Sequence, residues 1–132
     1  MLTGLHHIAL IVSDYKRSLA FYTDVLGFEL MNEVYREERN SWKADLCLNG
    51  QYLLELFSFP DPPARPSYPE AAGLRHLAFM VEKLEPCMQH LEEAGIACES
   101  IRLDPHTNKR FMFFADPDGL PIELYESQSL DA

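Results

Sequence analysis

The sequence predicts an α+β fold assembled from two copies of one βαβββ module. Residues 5–12 and 74–81 match at an offset of 69, with Leu, His, Ala and Val coinciding. Leu54-Glu55-Leu56-Phe57 and Ile122-Glu123-Leu124-Tyr125 match at an offset of 68. A single one-residue gap therefore aligns the two halves, and an internal repeat of this kind determines the interpretation of the whole fold.

The first module begins with an apolar segment, residues 5–12, which lacks Gly and Pro and predicts a largely buried strand. Ser13-Asp14 offers side-chain oxygens for the N-cap of a helix whose apolar positions recur at steps of three and four. Gly27 predicts the C-cap of that helix. Three strands follow, near residues 28–36, 42–49 and 52–59. Asn49-Gly50 predicts a tight hairpin between the last two.

The second module repeats this order, with a predicted helix near 84–94 that ends at Gly95. Its predicted strands are 74–81, 96–102, 109–115 and 121–126. Asp116-Pro117-Asp118-Gly119 predicts the turn before the last strand. We therefore divide the single domain 1–132 into a first module (1–59), a stiff Pro-rich linker (60–73), a second module (74–126) and a tail (127–132).

Composition excludes several classes of partner. The net charge of −10 and the lack of a Lys/Arg cluster argue against nucleic acid and anionic membrane surfaces. No apolar run approaches the roughly 18 residues that span a bilayer, and the N-terminus lacks the pattern of a signal peptide. Three cysteines without CxxC spacing indicate neither disulfides nor a thiolate zinc site. We expect a cytoplasmic protein that binds a small molecule.

Strand alternation brings the repeated His and Glu residues to one face. His7, Ala9 and Ile11 share one side of the first strand, and the more apolar side should pack on the helix. His76 has the same parity in the second module. Glu55 and Glu123 each interrupt a strongly apolar strand, where an unpaired charge is unfavourable. Two imidazoles and two carboxylates related by the repeat would suit one divalent cation.

Simpler interpretations exist for each residue alone. A strand histidine is more often structural than a ligand, and a lone glutamate in an apolar strand can simply face solvent. The duplicated pair reverses this preference. His6 and Arg75 share a repeat position without shared chemistry, which is expected for the other face or for solvent. His90 on the second helix and His106 in a polar loop are expected at the surface.

The chain resembles the vicinal oxygen chelate superfamily, which contains glyoxalase I, extradiol dioxygenases, fosfomycin-modifying transferases and bleomycin-sequestering proteins. The resemblance runs from about Leu5 to Tyr125 and is greatest to short bacterial glyoxalase I-like proteins. It rests on His7-Ile8-Ala9-Leu10, Arg17-Ser18-Leu19-Ala20-Phe21-Tyr22, Val25-Leu26-Gly27-Phe28, Leu54-Glu55-Leu56, His76-Leu77-Ala78, Asp116-Pro117-Asp118-Gly119 and Ile122-Glu123-Leu124.

The resemblance implies an open, eight-stranded, barrel-like cup around a central metal. It implies the ligands His7, Glu55, His76 and Glu123. A metal-bound glutamate serves as the proton-shuttling base in glyoxalase I; by position that role falls to Glu123, with Glu55 as its symmetry partner. Mixed nitrogen and oxygen ligands fit Ni²⁺, Co²⁺, Zn²⁺ or Mn²⁺.

Two positions depart from the glyoxalase I pattern. Glutathione-dependent bacterial relatives typically carry Arg where this chain has Ile11 and Asn where it has Phe59, and both usually hold glutathione carboxylates. The resemblance therefore leaves glutathione in doubt while retaining the metal centre. Arg36, Trp42 and Arg110 are candidates for the mouth of a partly apolar cavity.

We expect a metal-dependent lyase or isomerase of glyoxalase I type, acting on a small α-oxygenated substrate through a metal-stabilised enediolate. The alternatives are an extradiol-type dioxygenase, which usually holds Fe²⁺ with two His and one carboxylate, and a non-catalytic module that sequesters an antibiotic. Relatives of the second kind typically lack the metal ligands. The resemblance allows two assemblies, because paired modules can close the cup within one chain or by exchange between two chains. We expect a homodimer of the second kind, in which His7 and Glu55 of one chain meet His76 and Glu123 of the other.

Overall fold

Eight strands form two four-stranded mixed sheets in the computed structural model, which describes residues 1–131. The chain divides into two units, Met1–Ala64 and Arg65–Ala132, and each unit contains one open sheet with its helix. The predicted α+β class with two βαβββ modules is confirmed. The last residue of the predicted tail, Ala132, lies outside the described residues.

The first unit has the sheet order β1-β4-β3-β2, in which β1 runs parallel to β4 and the other neighbours are antiparallel. Its elements are β1 (Ile8–Val12), α1 (Tyr15–Ala20), a π-helical turn (Phe21–Val25), β2 (Glu29–Arg36), a 3₁₀ turn (Glu37–Arg39), β3 (Ser41–Leu48) and β4 (Gln51–Ser58). The strand adjacent to β1 in space is therefore the last strand of its own module.

The local signals in the first module act as their chemistry predicts. The Asp14 carboxylate accepts a hydrogen bond from the Arg17 backbone N–H at 3.2 Å and caps α1. Gly27 ends the helical segment with φ +86°, the left-handed conformation that glycine adopts without strain. Asn49 and Gly50 both have positive φ, as the predicted two-residue hairpin requires. The π-helical turn has no counterpart in the sequence prediction.

Alternation along β1 separates the core from the opposite face of the sheet. Leu10 and Val12 are buried, whereas Ala9 is exposed and Ile11 is 60% exposed. Along β4, Leu54 and Leu56 are fully buried. The predicted parity is thus correct: α1 covers the more apolar side, and the ligand-bearing side, which we call the ligand face, lies opposite.

A β-bulge shifts the register between β3 and β4. Close to the hairpin, Cys47 pairs with Tyr52, but Leu46 then pairs with Leu54. The skipped residue, Leu53, is the extra residue on β4, and every later pair is displaced by one position. Because a displacement of one residue exchanges the two faces of a strand, the bulge decides which β3 side chains lie beside Glu55.

The second unit has the equivalent sheet order β5-β8-β7-β6, again with a parallel first pair. Its elements are β5 (Leu77–Val81), α2 (Leu84–Glu93), β6 (Arg102–Asp104), β7 (Lys109–Ala115) and β8 (Pro121–Glu126). Asp116 orders the turn before β8, since its carboxylate accepts from the N–H groups of Asp118 and Leu120. No helix among residues 1–131 is long and apolar enough to cross a bilayer.

The prediction of a strand at 96–102 is wrong, because β6 covers only Arg102–Asp104. The segment before it makes one backbone bond to β7, from Glu99 N–H to the Phe113 carbonyl at 2.9 Å. This segment is at the sheet edge, so β7 alone can pair with it. Strands β1 and β5 also start three residues later than predicted, because their parallel ladders begin at Ile8 and Leu77.

A buried ion pair joins β7, β8 and α2 in the second unit. Arg110 Nη2 lies 2.6 Å from Glu126 Oε2 and Nη1 lies 2.7 Å from Glu85 Oε1. Glu126, which is 4% exposed, also accepts from the Leu84 N–H at the start of α2. Hydrogen bonding from Arg110 holds the pKa of Glu126 below its usual value. Arg110 is therefore structural, and the cavity that it lines lies beside the start of α2 and not beside His76 and Glu123.

We predict that Arg110→Met lowers the free energy of unfolding by about 3 kcal/mol, because the buried Glu126 carboxylate loses its cationic partner and keeps only the hydrogen bond from Leu84. Urea denaturation at neutral pH measures this loss. In the wild type, the depressed pKa of Glu126 means that the stabilisation is present above the unfolded pKa. It disappears as the pH falls through the lower folded value.

The matched control is Arg102→Met. Arg102 is half exposed and its partner Glu99 lies 3.5 Å away on the surface, so the change should stay below about 1 kcal/mol. Equal losses in the two variants would contradict the structural role of Arg110.

Candidate metal-binding site

The predicted ligands of the first unit lie side by side on the ligand face. His7 directly precedes β1, and Glu55 pairs in register with Ala9 on the neighbouring parallel strand. His7 Nε2 and Glu55 Oε1 are 3.6 Å apart. Two ligands that each sit about 2.1 Å from one tetrahedral or octahedral ion are separated by roughly 3.0–3.4 Å. The pair therefore fits a divalent ion with little adjustment.

The second oxygen of Glu55 is occupied by two other groups. Lys43 Nζ lies 3.2 Å from Glu55 Oε2, and the Tyr52 hydroxyl donates to the same oxygen at 3.2 Å. The Glu55 side chain is 12% exposed, so these partners replace water that burial has removed. Glu55 is thus held in one orientation, with Oε1 towards His7 and Oε2 towards Lys43 and Tyr52.

Asp45 completes this network from β3, where it stands opposite Glu55 in the ladder. Lys43 Nζ lies 3.0 Å from Asp45 Oδ1, and the Tyr52 hydroxyl lies 3.0 Å from the same atom. Burial raises the pKa of Asp45, but hydrogen bonds from Lys43 and Tyr52 outweigh it and leave that pKa below its usual value. The hydrogen bond to Asp45, with a further contribution from Glu55, raises the pKa of Lys43. One ammonium therefore serves two neighbouring carboxylates.

His6 is a partner of His7 and not an unrelated neighbour. The two Nδ1 atoms are 2.8 Å apart, and Tyr52 stacks against the His7 ring at a centroid distance of 5.2 Å. A proton on His7 Nδ1, donated to His6, leaves the lone pair of His7 Nε2 directed at Glu55. Metal-binding histidines are commonly oriented through their second ring nitrogen in this way. His6 is exposed, as expected for a residue that faces solvent, and its contact with His7 adds to that expectation.

The second unit places its two predicted ligands on the equivalent face. His76 directly precedes β5, and Glu123 pairs with Ala78 on one side and Phe113 on the other. Ile122 and Leu124, which flank Glu123, are buried in the core. His76 contacts the edge of the Phe113 ring at a centroid distance of 5.1 Å. In the described residues 1–131, no ion pair joins His76 to Glu123.

A cavity of about 560 Å³ adjoins His76 within the second unit. Arg102 and Phe113 form part of its wall, together with residues of the Pro-rich segment. Arg65 fixes the chain in front of His76, because its Nη2 donates to the carbonyls of Leu74 at 2.8 Å and Arg75 at 2.9 Å. The strand start that carries His76 is thus anchored from its N-terminal side.

Each unit contains two of the four predicted ligands. Taken unit by unit, the described residues contain no group of three or more His, Cys, Asp or Glu side chains able to hold a metal ion. The ligand set His7, Glu55, His76 and Glu123 as a whole stays a prediction. What the structure provides is one closely matched His–Glu pair and one His and Glu on the same sheet face.

The two ligand faces differ in character although the modules are repeats. The positions of Lys43 and Asp45 correspond to Phe111 and Phe113 in the second module. Phe111 stacks on Tyr125 at a centroid distance of 6.2 Å. The ligand face of the first unit is therefore charged, and that of the second unit is aromatic.

Arg36 and Trp42 are on opposite faces of the first sheet. The Arg36 guanidinium lies 4.7 Å from the centre of the Phe57 ring, on the ligand face. Trp42 has the parity of buried Ala44 and stacks on Tyr15 at the start of α1, so it faces the helix side. Of the three residues expected at a cavity mouth, Arg36 alone shares the face of the predicted ligands.

The sequence pattern does not identify Lys43, Asp45 or Tyr52 as neighbours of Glu55, although the first two show part of the expected alternation. Lys43 and Asp45 alternate with buried Ala44 and Leu46, which indicates a shared polar side. The hairpin register alone would place Ala44 opposite Glu55, and the observed bulge replaces it with Asp45. Their contact with Glu55 could not be read from the pattern.

Comparison with known proteins places the chain in a family. Residues 4–124 match the model of the Glyoxalase/Bleomycin resistance protein/Dioxygenase superfamily. The chain belongs to this superfamily. It is 64% identical to the uncharacterized protein YaeR of Escherichia coli (strain K12), covering 95% of this chain and 97% of that protein. It is 62% identical to the uncharacterized protein YwkD of Bacillus subtilis (strain 168), covering 96% of this chain and 98% of that one.

A solved structure supports the same assignment. The crystal structure of a glyoxalase family protein from Enterococcus faecalis is 50% identical, with a TM-score of 0.87, and covers 93% of this chain and 97% of that one. The superfamily includes lyases, thiol transferases and dioxygenases, and its members commonly use a divalent metal ion. Membership therefore defines a fold and a range of reactions without choosing among them.

In this superfamily member, the Lys43 network is testable without any ligand. We predict that Lys43→Met lowers the free energy of unfolding by about 1–2 kcal/mol, because Asp45 and Glu55 then face each other without a cation and share only the Tyr52 hydroxyl. Urea denaturation in the presence of EDTA measures the loss.

Two variants control this result. Lys16→Met removes an exposed lysine on α1 and should leave stability unchanged within about 0.5 kcal/mol. Asp45→Asn, added to Lys43→Met, should recover stability because a single carboxylate remains. A double variant that is no more stable than Lys43→Met would show that carboxylate repulsion is not the cause.

Proposed function

We propose that the protein is a metal-dependent lyase or isomerase of glyoxalase I type, acting on a small substrate with adjacent oxygen atoms. The observation that carries the proposal is the 3.6 Å approach of His7 Nε2 and Glu55 Oε1 on the ligand face. Ni²⁺, Co²⁺, Zn²⁺ or Mn²⁺ suits such mixed nitrogen and oxygen ligands. We further propose that His76 and Glu123 supply the other two ligands.

The two glutamates are suited to different tasks. Glu55 is held by Lys43 and Tyr52 through Oε2, so it serves best as a fixed ligand. Glu123 forms no hydrogen bond or ion pair with a described residue, so its carboxylate retains freedom to move. We therefore propose Glu123 as the base that removes a proton from one substrate carbon and returns it to the neighbouring carbon. Glu55 stays a secondary candidate by symmetry.

The reaction needs a proton carrier and an environment that tolerates negative charge. When bound, the metal supplies Lewis-acid stabilisation of charge on two adjacent substrate oxygens. Lys43 adds a fixed positive charge beside Glu55 without approaching Oε1. On the second unit, Phe111, Phe113 and Tyr125 present an aromatic surface that would exclude water from the substrate carbon.

Glutathione is not required by this proposal. Ile11 is exposed on the ligand face, and Phe59 stacks on Phe57 at a centroid distance of 6.0 Å. Neither side chain offers a hydrogen bond to a glutathione carboxylate. Substrates without glutathione are therefore the first to test, although thiol adducts belong in the same panel.

Two other functions are weaker candidates. An extradiol dioxygenase usually holds its iron with two histidines and one carboxylate. The proposed ligand set contains two carboxylates, since it includes Glu55 as well as Glu123. A binding module that sequesters an antibiotic would not need a His–Glu pair at ligand distance. Neither alternative accounts for the network that holds Glu55.

We predict that Glu123→Gln reduces turnover at least about 100-fold while metal still binds at saturating concentration, because the variant loses the base. Both Glu123→Gln and Glu55→Gln should weaken metal binding, because the neutral amide is a poorer ligand for a divalent ion, but Glu55→Gln should recover more turnover at saturating metal. Elemental analysis of purified protein and assays with methylglyoxal, with and without several thiols, measure both effects.

Glu29→Gln, which changes an exposed residue of β2, is the control and should match the wild type. Two results would contradict the proposal. One is wild-type protein that takes up no stoichiometric metal and gains no thermal stability from added Ni²⁺ or Co²⁺. The other is turnover by Glu123→Gln at the wild-type rate.

We also propose that the protein is a homodimer with exchanged modules, in which each site combines His7 and Glu55 of one chain with His76 and Glu123 of the other. The supporting observation is exposed apolar surface on both ligand faces of the single chain. Ile11 is 60% exposed and Met80 is 77% exposed. Association that covers these side chains would stabilise a dimer.

Mixed dimers of two inactive variants test this arrangement. In an exchanged dimer, one His7→Ala chain and one His76→Ala chain together form one intact site and one doubly altered site. Random mixing of the two should therefore restore about a quarter of the tight metal sites. Metal titration of the mixture measures the fraction, and a mixture that stays at the level of either variant alone would exclude exchange.

A further inference from the structure

Arg36 occupies an unusual position at the end of β2. Its guanidinium lies 4.7 Å from the centre of the Phe57 ring and 5.7 Å from that of Phe59. Ser41 accepts a hydrogen bond from Nη2 at 2.8 Å and stands opposite Arg36 in the β2–β3 ladder. Two aromatic rings and one hydroxyl therefore fix the plane of the guanidinium.

This positive charge lacks a carboxylate partner. The sequence has 21 acidic residues and only 11 lysines and arginines. Even so, among residues 1–131 no carboxylate lies within 4.0 Å of the Arg36 nitrogens. The Nε atom is buried without any hydrogen-bond partner. A half-buried guanidinium that is neither fully hydrated nor paired binds an incoming anion more strongly than an exposed one does.

Phe57 connects Arg36 to the face of the predicted ligands. Phe57, which supports the guanidinium, lies two residues after Glu55 on β4 and shares its face. The Cα atoms of Phe57 and Glu55 are therefore about 7 Å apart along the strand. Lys43, opposite Phe57, is already engaged by Asp45 and Glu55, so Arg36 is the cation of this face that stays available.

We propose that Arg36 binds an anionic group of the substrate, a carboxylate or a phosphoryl group, on the same sheet face as Glu55. The inference rests on the proposed function and specifies its substrate class. The substrate carries adjacent oxygens at one end and an oxyanion at the other. A planar guanidinium can hold either oxyanion through two parallel hydrogen bonds.

Three hydroxamates of equal chain length test this inference, because a hydroxamate offers two adjacent oxygens to a bound metal. Pentanohydroxamate ends in a methyl group, the monohydroxamate of glutaric acid ends in a carboxylate, and 4-phosphonobutanohydroxamate ends in a phosphonate. Calorimetry with the Co²⁺-loaded protein measures their affinities. We expect at least one anionic compound to bind about tenfold or more tightly than pentanohydroxamate.

Variants connect the preference to the residue. Arg36→Met should abolish the tenfold gain without changing the affinity for pentanohydroxamate. Arg36→Lys keeps the charge but loses the planar group and should retain only part of the gain. The control is Arg17→Met. Arg17 is an exposed arginine on α1, which covers the opposite side of the first sheet, and the gain should persist in its absence.

The outcomes separate the inference from the proposed function. A preference for the carboxylate or for the phosphonate supports the inference and names the oxyanion. Equal affinities for all three compounds, or an unchanged gain in Arg36→Met with wild-type thermal stability, overturn it. If the protein takes up no metal, the proposed function fails separately. In that case, the ³¹P NMR line width of propylphosphonate in the presence of metal-free protein tests the inference. Broadening that is lost in Arg36→Met supports the inference, and broadening that persists in this variant overturns it.

Discussion

The parallel pairing of the first and last strands of each module is the constraint on which the candidate site depends. It sets Ala9 beside Glu55 and Ala78 beside Glu123, so each histidine that precedes the first strand starts next to a glutamate-bearing strand. The neighbouring leucines and isoleucine of the last strands fill the core and hold the glutamates on the opposite face. A slip of one residue in this pairing would bury the carboxylates instead.

Burial on that face brings two carboxylates together in the first unit, and neighbouring side chains compensate their charge. Glu55 and Asp45 stand opposite each other with little access to water, and Lys43 and Tyr52 supply the positive charge and hydrogen bonds that compensate. The same contacts leave Oε1 of Glu55 facing His7. Charge compensation and orientation of a ligand atom are therefore provided by one small network, which His6 extends to the far side of the imidazole ring.

Much of this arrangement follows from the sequence, because it depends on repeat spacing and on the period of two in strands. The module order, the Asn49-Gly50 hairpin and the core side of β1 are all predictable on that basis. The bulge at Leu53 is not, since no residue there marks the place where an extra position is inserted. Without the bulge, Ala44 stands opposite Glu55. The roles of Lys43 and Asp45 therefore depend on a tertiary feature that pattern analysis cannot detect.

The unlike character of the two repeats has a consequence for directionality. A pair of identical halves would present the same surroundings from either side, and an elongated molecule with different ends would enter in two equivalent ways. Here one half offers Lys43 and Asp45 where the other offers Phe111 and Phe113. A polar group of a ligand therefore matches the ligand face of the first unit, and an apolar group matches that of the second. Divergence after duplication has given two similar sheets different preferences.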